Sequence, residues 1–279
     1  MNSNIAYKVL ALDLDDTLLR SDLSISHRAR NAIKHAINAR TAIVLASSRI
    51  PEAMERYARL LGLDRKPGYL ISNNGALIME SHTGNIIHET RLEGGTALAI
   101  CDLAYEKGFP LQIFEDDIMY VSRKNEYSAL DERSTGIRQV VVENFRAMVA
   151  AGCYKLVIPG EPSVLSGVRE IVSNTLGKNV TLSASRPYFL EIMPKGTDKG
   201  SALALIAEIL GVSAGEVMAI GDSMNDEAMI RWAGTGVALA NADARIKEIA
   251  DLIADSTNDD DGVAKLIEKY FVRKEKKHE

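Results

Sequence analysis

The chain has 279 residues, of which 46% are hydrophobic, 25% charged and 5% aromatic, with 20 Gly, 7 Pro and 2 Cys. At roughly 150 residues per domain this length gives two domains, or one domain carrying a large insertion, and the composition excludes collagen, coiled coil and disorder. The net charge is -5, from 33 basic and 38 acidic side chains. The sole basic cluster, Arg273, Lys274, Lys276 and Lys277, reads as a solvated end, so no nucleic-acid partner is expected. Cys101 and Cys153 match no metal spacing, which predicts free thiols in a reducing compartment. No apolar run reaches the ~18 residues of a membrane span, and no cleavable leader precedes Asp13. The expectation is a cytoplasmic protein with no membrane partner, either a monomer or a weak homodimer.

In chain order, Val9 to Leu12 is a short apolar run entering an acidic loop, Ser26 to Ala39 has helical spacing behind a Ser N-cap, and Ala42 to Ala46 is apolar throughout. Such runs alternating with helices predict strands buried on both faces of a parallel sheet. From about His82 to Met193 the pattern changes. A helix is expected over Thr96 to Lys107, strands over Leu111 to Glu115 and Ile118 to Ser122, then strands Arg138 to Val142 and Tyr154 to Ile158. A helix Ser163 to Leu176 and strands Thr181 to Ala184 and Tyr188 to Ile192 follow. Asp116-Asp117 and Arg186-Pro187 read as hairpin turns, which makes this stretch an antiparallel α+β unit.

The alternation then resumes with helix Lys199 to Leu210, strand Glu216 to Ile220, helix Asn225 to Ala233, strand Gly236 to Ala240, helix Ala244 to Ile249, strand Asp251 to Ala254 and helix Val263 to Tyr270. The fold class is therefore α/β, a doubly wound, Rossmann-like parallel-sheet core of residues 1-82 and 193-279 with an inserted α+β cap domain over 83-192.

In open parallel sheets ligands bind beyond the carboxyl ends of the strands. The residues there are Asp13, Asp15, Asp16 and Thr17 after the first run, Ser47, Ser48 and Arg49 after the second, and Gly221 to Asp226 after Glu216 to Ile220, with Lys199 opening the preceding helix. Several carboxylates at one site repel unless a cation compensates, and oxygen ligands without His favour a hard ion such as Mg²⁺. A Mg²⁺ beside a hydroxyl and an ammonium suits a phosphoryl group. One carboxylate is then left to attack phosphorus.

The run Asp-Leu-Asp-Asp-Thr-Leu-Leu at 13-19, the Ser47 loop, Lys199 and Gly-Asp-Ser-Met-Asn-Asp at 221-226 resemble the four motifs of the haloacid dehalogenase (HAD) superfamily. Their order and spacing resemble the Cof-type branch with a C2B cap, and Asn74-Gly75-Ala76 and Asp261-Gly262-Val263-Ala264 are similar to further Cof-type signatures. The resemblance implies a Mg²⁺-dependent phosphatase of small phosphorylated metabolites, sugar phosphates first, acting through an aspartyl-phosphate. It implies Asp13 as nucleophile, Asp15 as general acid and base, and Mg²⁺ on the carboxylates of Asp13 and Asp222 and the backbone carbonyl of Asp15. Asp15 would be protonated while Asp13 is ionised. Ser47 and Lys199 would bind phosphoryl oxygens, with Ser48, Arg49, Asn74 and Asn225 as further substrate contacts and Asp226 in support.

Two positions depart from the family pattern: Asp16 replaces the usual Gly, and Ser47-Ser48-Arg49 replaces Thr-Gly-Arg. Arg49 reads equally as a salt-bridge partner at the core edge or as a contact to the substrate. Asn258 to Asp261 reads as a solvated loop whose last carboxylates cap the final helix. The alternatives are a phosphomutase or other phosphotransferase on the same core, and a non-catalytic phosphometabolite-binding protein. The latter would need a broken Asp13 or Asp15, and both are intact.

Overall fold

The computed structural model describes residues 7-271; the basic run at 273-277 lies outside them. The first part of the chain forms β1 (Val9–Asp13), α1 (His27–Asn38), β2 (Ala42–Ala46), α2 (Pro51–Leu60), β3 (Gly68–Ser72), β4 (Leu77–Glu80) and β5 (Ile86–Glu89). The middle forms α3 (Gly94–Glu106), β6 (Gln112–Glu115), β7 (Ile118–Val121), α4 (Glu126–Thr135), β8 (Arg138–Val141), α5 (Phe145–Val149), β9 (Leu156–Pro159), α6 (Pro162–Leu176), β10 (Val180–Ser183) and β11 (Phe189–Pro194). The last part forms α7 (Lys199–Leu210), β12 (Val217–Gly221), α8 (Glu227–Trp232), β13 (Thr235–Ala238), α9 (Ala244–Ile249), β14 (Leu252–Ile253) and α10 (Gly262–Tyr270).

Two sheets result. The core sheet runs β14-β13-β12-β1-β2-β3-β4-β5, parallel from β14 to β3 and closed by an antiparallel β4-β5 hairpin. Every residue of β1 and β12 is buried, because helices cover both faces. One face packs Leu10, Leu12, Ile43 and Leu45 against α1 and α10; the other packs Val9, Ala11, Val44 and Ala219 against α7 and α8.

The second sheet runs β10-β11-β9-β6-β7-β8 and is antiparallel apart from the β7-β8 pair. Its outer face packs Ile113, Leu156, Ile158 and Ile192 against α3, α5 and α6. Its inner face turns Phe114, Met119 and Val121 toward Ile50 and Ala53 at the start of α2. The predicted α/β core with an α+β insert is thus the observed architecture.

The differences from the expected elements have local causes. Residues 83-89, placed with the insert, extend the core hairpin through β5, while 193-194 end β11 in the cap sheet. Asp116-Asp117 makes the two-residue turn expected, with Asp116 in the left-handed region at φ 52. Arg186-Pro187 does not make a two-residue hairpin turn, although the Phe189 amide donates to the Arg186 carbonyl at 3.1 Å and closes a β-turn there. It lies in a five-residue loop, 184-188, that leaves Arg186 at the lip of the cap. Helix α4 carries no amphipathic signal, since Ser128 is its one buried residue.

Among the described residues no helix is long and apolar enough to cross a membrane. Cys101 and Cys153 are free and buried in the cap core.

Candidate active site

Strand register gathers the four loops. Asp13 lies opposite Ala46 and Leu12 opposite Ile220, so Ser47 and Asp222 emerge on either side of the turn that follows Asp13. Ala46 in turn lies opposite Ile71, which brings Asn73 and Asn74 to the same edge.

Asp13 is buried, and its Oδ1 accepts from Lys199 Nζ at 2.5 Å. The same ammonium donates to Asp226 Oδ1 at 2.6 Å. The other oxygen of Asp226 accepts from the backbone amides of Asp222 and Ser223 at 2.9 and 3.1 Å. Asp226 therefore braces the loop and holds the lysine. Two glycines allow this closeness. A Cβ on Gly221 would lie 2.6 Å from the Asp226 carboxyl, and one on Gly200 would lie 2.5 Å from the Ala228 carbonyl, keeping α7 off α8. Asp222 Oδ1 accepts from Thr17 Oγ1 at 2.6 Å.

Carboxylate oxygens of Asp13, Asp222 and Asp226 lie within 4.8 Å of one another. Three buried carboxylates face one ammonium, and the excess negative charge has visible effects. Burial, with Asp226 adding to it, pushes the Asp13 carboxyl well up against the pull of Lys199. Burial and Asp226 push Asp222 up to about 7. Lys199 is held protonated because its two carboxylates outweigh its own burial. A hard divalent cation is the species that suits such an oxygen-only set. The set fits Mg²⁺: Asp226 has both oxygens engaged, while Asp13 and Asp222 each keep one oxygen without a hydrogen-bond partner among the described residues.

Asp15 differs from expectation. Arg49 clasps its carboxylate with Nε at 2.8 Å and Nη2 at 2.7 Å, and Arg186 Nη2 stands 3.5 Å away. Burial pushes the Asp15 carboxyl up, but the Arg49 hydrogen bonds and charge outweigh it and hold the group below the usual carboxylate range. The clasp favours the anionic form of Asp15, where the protonated form was expected. The cause is the Arg49 fork, a bidentate contact that sequence spacing does not reveal. Arg49 is thus a salt-bridge partner here, and its Nη1 also donates to the Ser134 carbonyl of α4 at 3.1 Å.

Asp16 adopts φ 59, the left-handed conformation for which Gly is the usual choice and which Asp tolerates better than most residues. Its carboxylate pairs with Arg186 of the cap loop. Its carbonyl accepts from Asn241 Nδ2 at 2.7 Å.

Ser47 is buried, and its Oγ accepts from the Arg49 amide at 3.1 Å. The Ser48 carbonyl accepts from Lys155 Nζ of the cap at 2.6 Å. Asn225 Nδ2 donates to Asn74 Oδ1 at 3.0 Å, Asn74 Nδ2 to Glu191 at 2.8 Å, and Lys155 to Glu191 at 2.8 Å. A buried polar chain therefore links the Asp222 loop to the cap and back to the Ser47 loop.

Of the expected residues, Asp13, Asp15, Ser48, Arg49, Asp222 and Asn225 line a cavity of about 220 Å³ whose cap wall includes Asp131, Ser185 and Arg186, whereas Ser47, Asn74 and Lys199 are buried and do not line it. Asp131, Lys155, Arg186 and Glu191 were not expected in or beside the cavity. Alternation could have pointed to two of them: in Lys155-Leu156-Val157 and Leu190-Glu191-Ile192 a charged residue interrupts the apolar pattern on the inner face of a strand. The acidic run stands apart from the cavity. Asp259 accepts from Ser21, Asp261 pairs with Arg20 at 3.1 Å, and Asn258 donates to the Leu19 carbonyl. Asp261 precedes α10 but makes no side-chain cap there, contrary to expectation, because Arg20 takes its carboxylate. The run braces the turn that follows Asp13.

Residues 10-267 match the family model described as haloacid dehalogenase-like hydrolase. The chain is 31% identical to YxeH of Bacillus subtilis (strain 168), covering 96% of this chain and 100% of that protein. It is 29% identical to 5-amino-6-(5-phospho-D-ribitylamino)uracil phosphatase YcsE of the same organism, covering 96% and 98%. Among solved structures it superposes on a haloacid dehalogenase-like hydrolase from Bacteroides thetaiotaomicron with TM-score 0.86 and 30% identity, covering 95% of this chain and 100% of the other. Matched along nearly its whole length in both sequence and fold, the chain belongs to the haloacid dehalogenase-like hydrolase family and is one of its phosphatases.

Proposed function

We propose that the chain hydrolyses small phosphomonoesters through a covalent intermediate on Asp13. One observation carries this reading: the Asp13 carboxylate sits at a strand end, in contact with Lys199 and flanked by Asp222, where it opens into the cavity that Asp15 also lines. The relatives named for their substrates support small phosphorylated metabolites as the substrate class. YcsE acts on a phosphorylated ribitylaminouracil by its name, and a protein of Escherichia coli O6:H1 that is 26% identical over 84% of this chain is named HMP-PP phosphatase.

An Asp13 oxygen attacks phosphorus in line, forming an Asp–O–P bond as the ester P–O bond breaks. Asp15 gives its proton to the departing oxygen. It then accepts a proton from the water that attacks phosphorus, which releases phosphate and restores the Asp13 carboxylate. The resting Arg49 clasp favours the anionic, water-activating form of Asp15. An arriving phosphoryl group brings negative charge that favours the protonated form and competes for the guanidinium. Lys199 and Ser47 hold phosphoryl oxygens, and Asn74 and Asn225 position the loop beside them. Asp13, Asp222 and the Asp15 carbonyl would hold Mg²⁺, which when bound offsets the charge of the carboxylates and of the phosphoryl oxygens.

Rapid mixing of Asp15→Ala with p-nitrophenyl phosphate tests the assignment. Phenolate leaves without a proton, so a burst near one equivalent per site should precede a slow steady rate. On an alkyl phosphate, whose leaving alkoxide needs the proton, the same variant should stall at the first step. Equal losses on both substrates, with no burst and no phosphoenzyme by mass spectrometry, would falsify the acid and base role.

A further inference from the structure

The cap presents four charged side chains to the cavity and the recess beneath it, and three are already matched. Arg186 pairs with Asp15 and Asp16, and Lys155 pairs with Glu191. The fourth, Asp131 on α4, has no cation within ion-pair distance among the described residues. Its one side-chain hydrogen bond comes from Gln112 Nε2 to Oδ2 at 2.6 Å. Gln112 is itself fully buried, and its own Oε1 has no partner. The hydroxyls nearest in sequence are turned inward: Ser134 and Thr135 both donate to the Asp131 backbone carbonyl, at 3.1 and 2.7 Å. Asp131, Thr135, Ser185 and Phe189 line both the 220 Å³ cavity and a recess of about 30 Å³ below it. Asp131 therefore leaves an acceptor oxygen facing the space where the part of a substrate remote from phosphorus must lie.

We propose that Asp131 is a specificity-determining residue that admits leaving groups offering hydroxyl or ammonium donors and rejects those carrying a second negative charge. This rests on the phosphatase reading and sharpens it. A free carboxylate oxygen in a confined cavity rewards a donor, and a carboxylate or second phosphate placed against it is repelled with little solvent screening. Monophosphorylated polyols and amino sugars fit the site, whereas bisphosphates and phosphorylated acids do not.

The test is kcat/KM on two matched pairs, glycerol 3-phosphate against 3-phosphoglycerate and glucose 6-phosphate against 6-phosphogluconate, with p-nitrophenyl phosphate as a leaving group without donors. The parent enzyme should favour the member without the carboxylate in at least one pair by at least ~10-fold. Asp131→Asn, which keeps the shape and loses the charge, should bring that ratio to within about threefold of one. Asp131→Ser, read by the same ratio, serves if the first variant does not fold. Turnover of p-nitrophenyl phosphate without preference in either pair overturns the proposal and leaves the phosphatase reading standing. A preference that survives both substitutions also overturns it. No turnover of any of the five compounds, with or without Mg²⁺, removes the phosphatase reading and this proposal together.

Discussion

The two sheets handle buried charge in opposite ways. At the edge of the core sheet Asp13, Asp222 and Asp226 converge on Lys199, and the carboxylates outnumber their cation. On the inner face of the cap sheet Lys155 and Glu191 match one to one at 2.8 Å, with side chains 6% and 2% exposed. Unbalanced charge is poor for stability but useful for binding a cation and a phosphoryl group; a matched buried pair specifies geometry. The cap pair does this across the junction, since Glu191 holds Asn74 and Lys155 holds the Ser48 carbonyl. The core thus concentrates reactivity while the cap supplies alignment, and each role can be broken separately.

The largest effect should come from withdrawing the Mg²⁺ proposed for the core. Excess chelator is expected to abolish phosphatase activity, which Mg²⁺ restores and Ca²⁺ does not, because the larger ion recruits more ligands and misplaces the Asp13 oxygens. Full activity in chelator would remove the metal from the scheme. Next in size, Asp13→Asn should lower kcat by at least ~10³. Its unfolding midpoint should stay within about 5 °C of the parent, since the amide also relieves carboxylate crowding. Turnover within tenfold of the parent would show that the nucleophile lies elsewhere.

In the cap the signature is reversed. Lys155→Met leaves Glu191 buried without its cation and should cost about 3–5 kcal/mol in denaturant unfolding, most of it recovered when Glu191→Leu is added. If the single and double variants are equally destabilised, the pair is not the source of the loss. The smallest effect belongs to the lip. Asp16→Gly removes the pairing with Arg186 but also relieves the left-handed backbone, terms of about 1 kcal/mol each that oppose one another. Stability should therefore shift by under about 1 kcal/mol, and a loss of twice that would mean that Arg186 binds the core more firmly than a half-exposed pair can.

The contrast between the sheets also decides what could be read in advance. The core was legible because its site residues follow buried apolar strands within short contiguous runs: Asp13 to Thr17 after β1, Ser47 to Arg49 after β2, Gly221 to Asp226 after β12. A parallel strand buried on both faces reads as a continuous apolar run, and its carboxyl end is a known place for chemistry. Even there the boundaries shifted, and the β4-β5 hairpin went unseen because β5 is short and largely exposed.

Charge state and cap contacts were not legible, and the reason is physical. The charge state of Asp15 depends on where the Arg49 guanidinium points, and Arg49 is 34 positions along the chain from Asp15. Arg186 reads as a turn residue until the 184-188 loop lays it against Asp16, 170 positions away. Asp131 sits on a helix without amphipathic periodicity, so nothing local marks it. Local hydrophobic pattern set the strands, the helices and the motif loops of this protein. The pairing of its charges, and with it the state of the site and the chemistry of the cap wall, was decided by tertiary contacts between distant segments, because Coulomb energy and burial depend on distance in space and not along the chain.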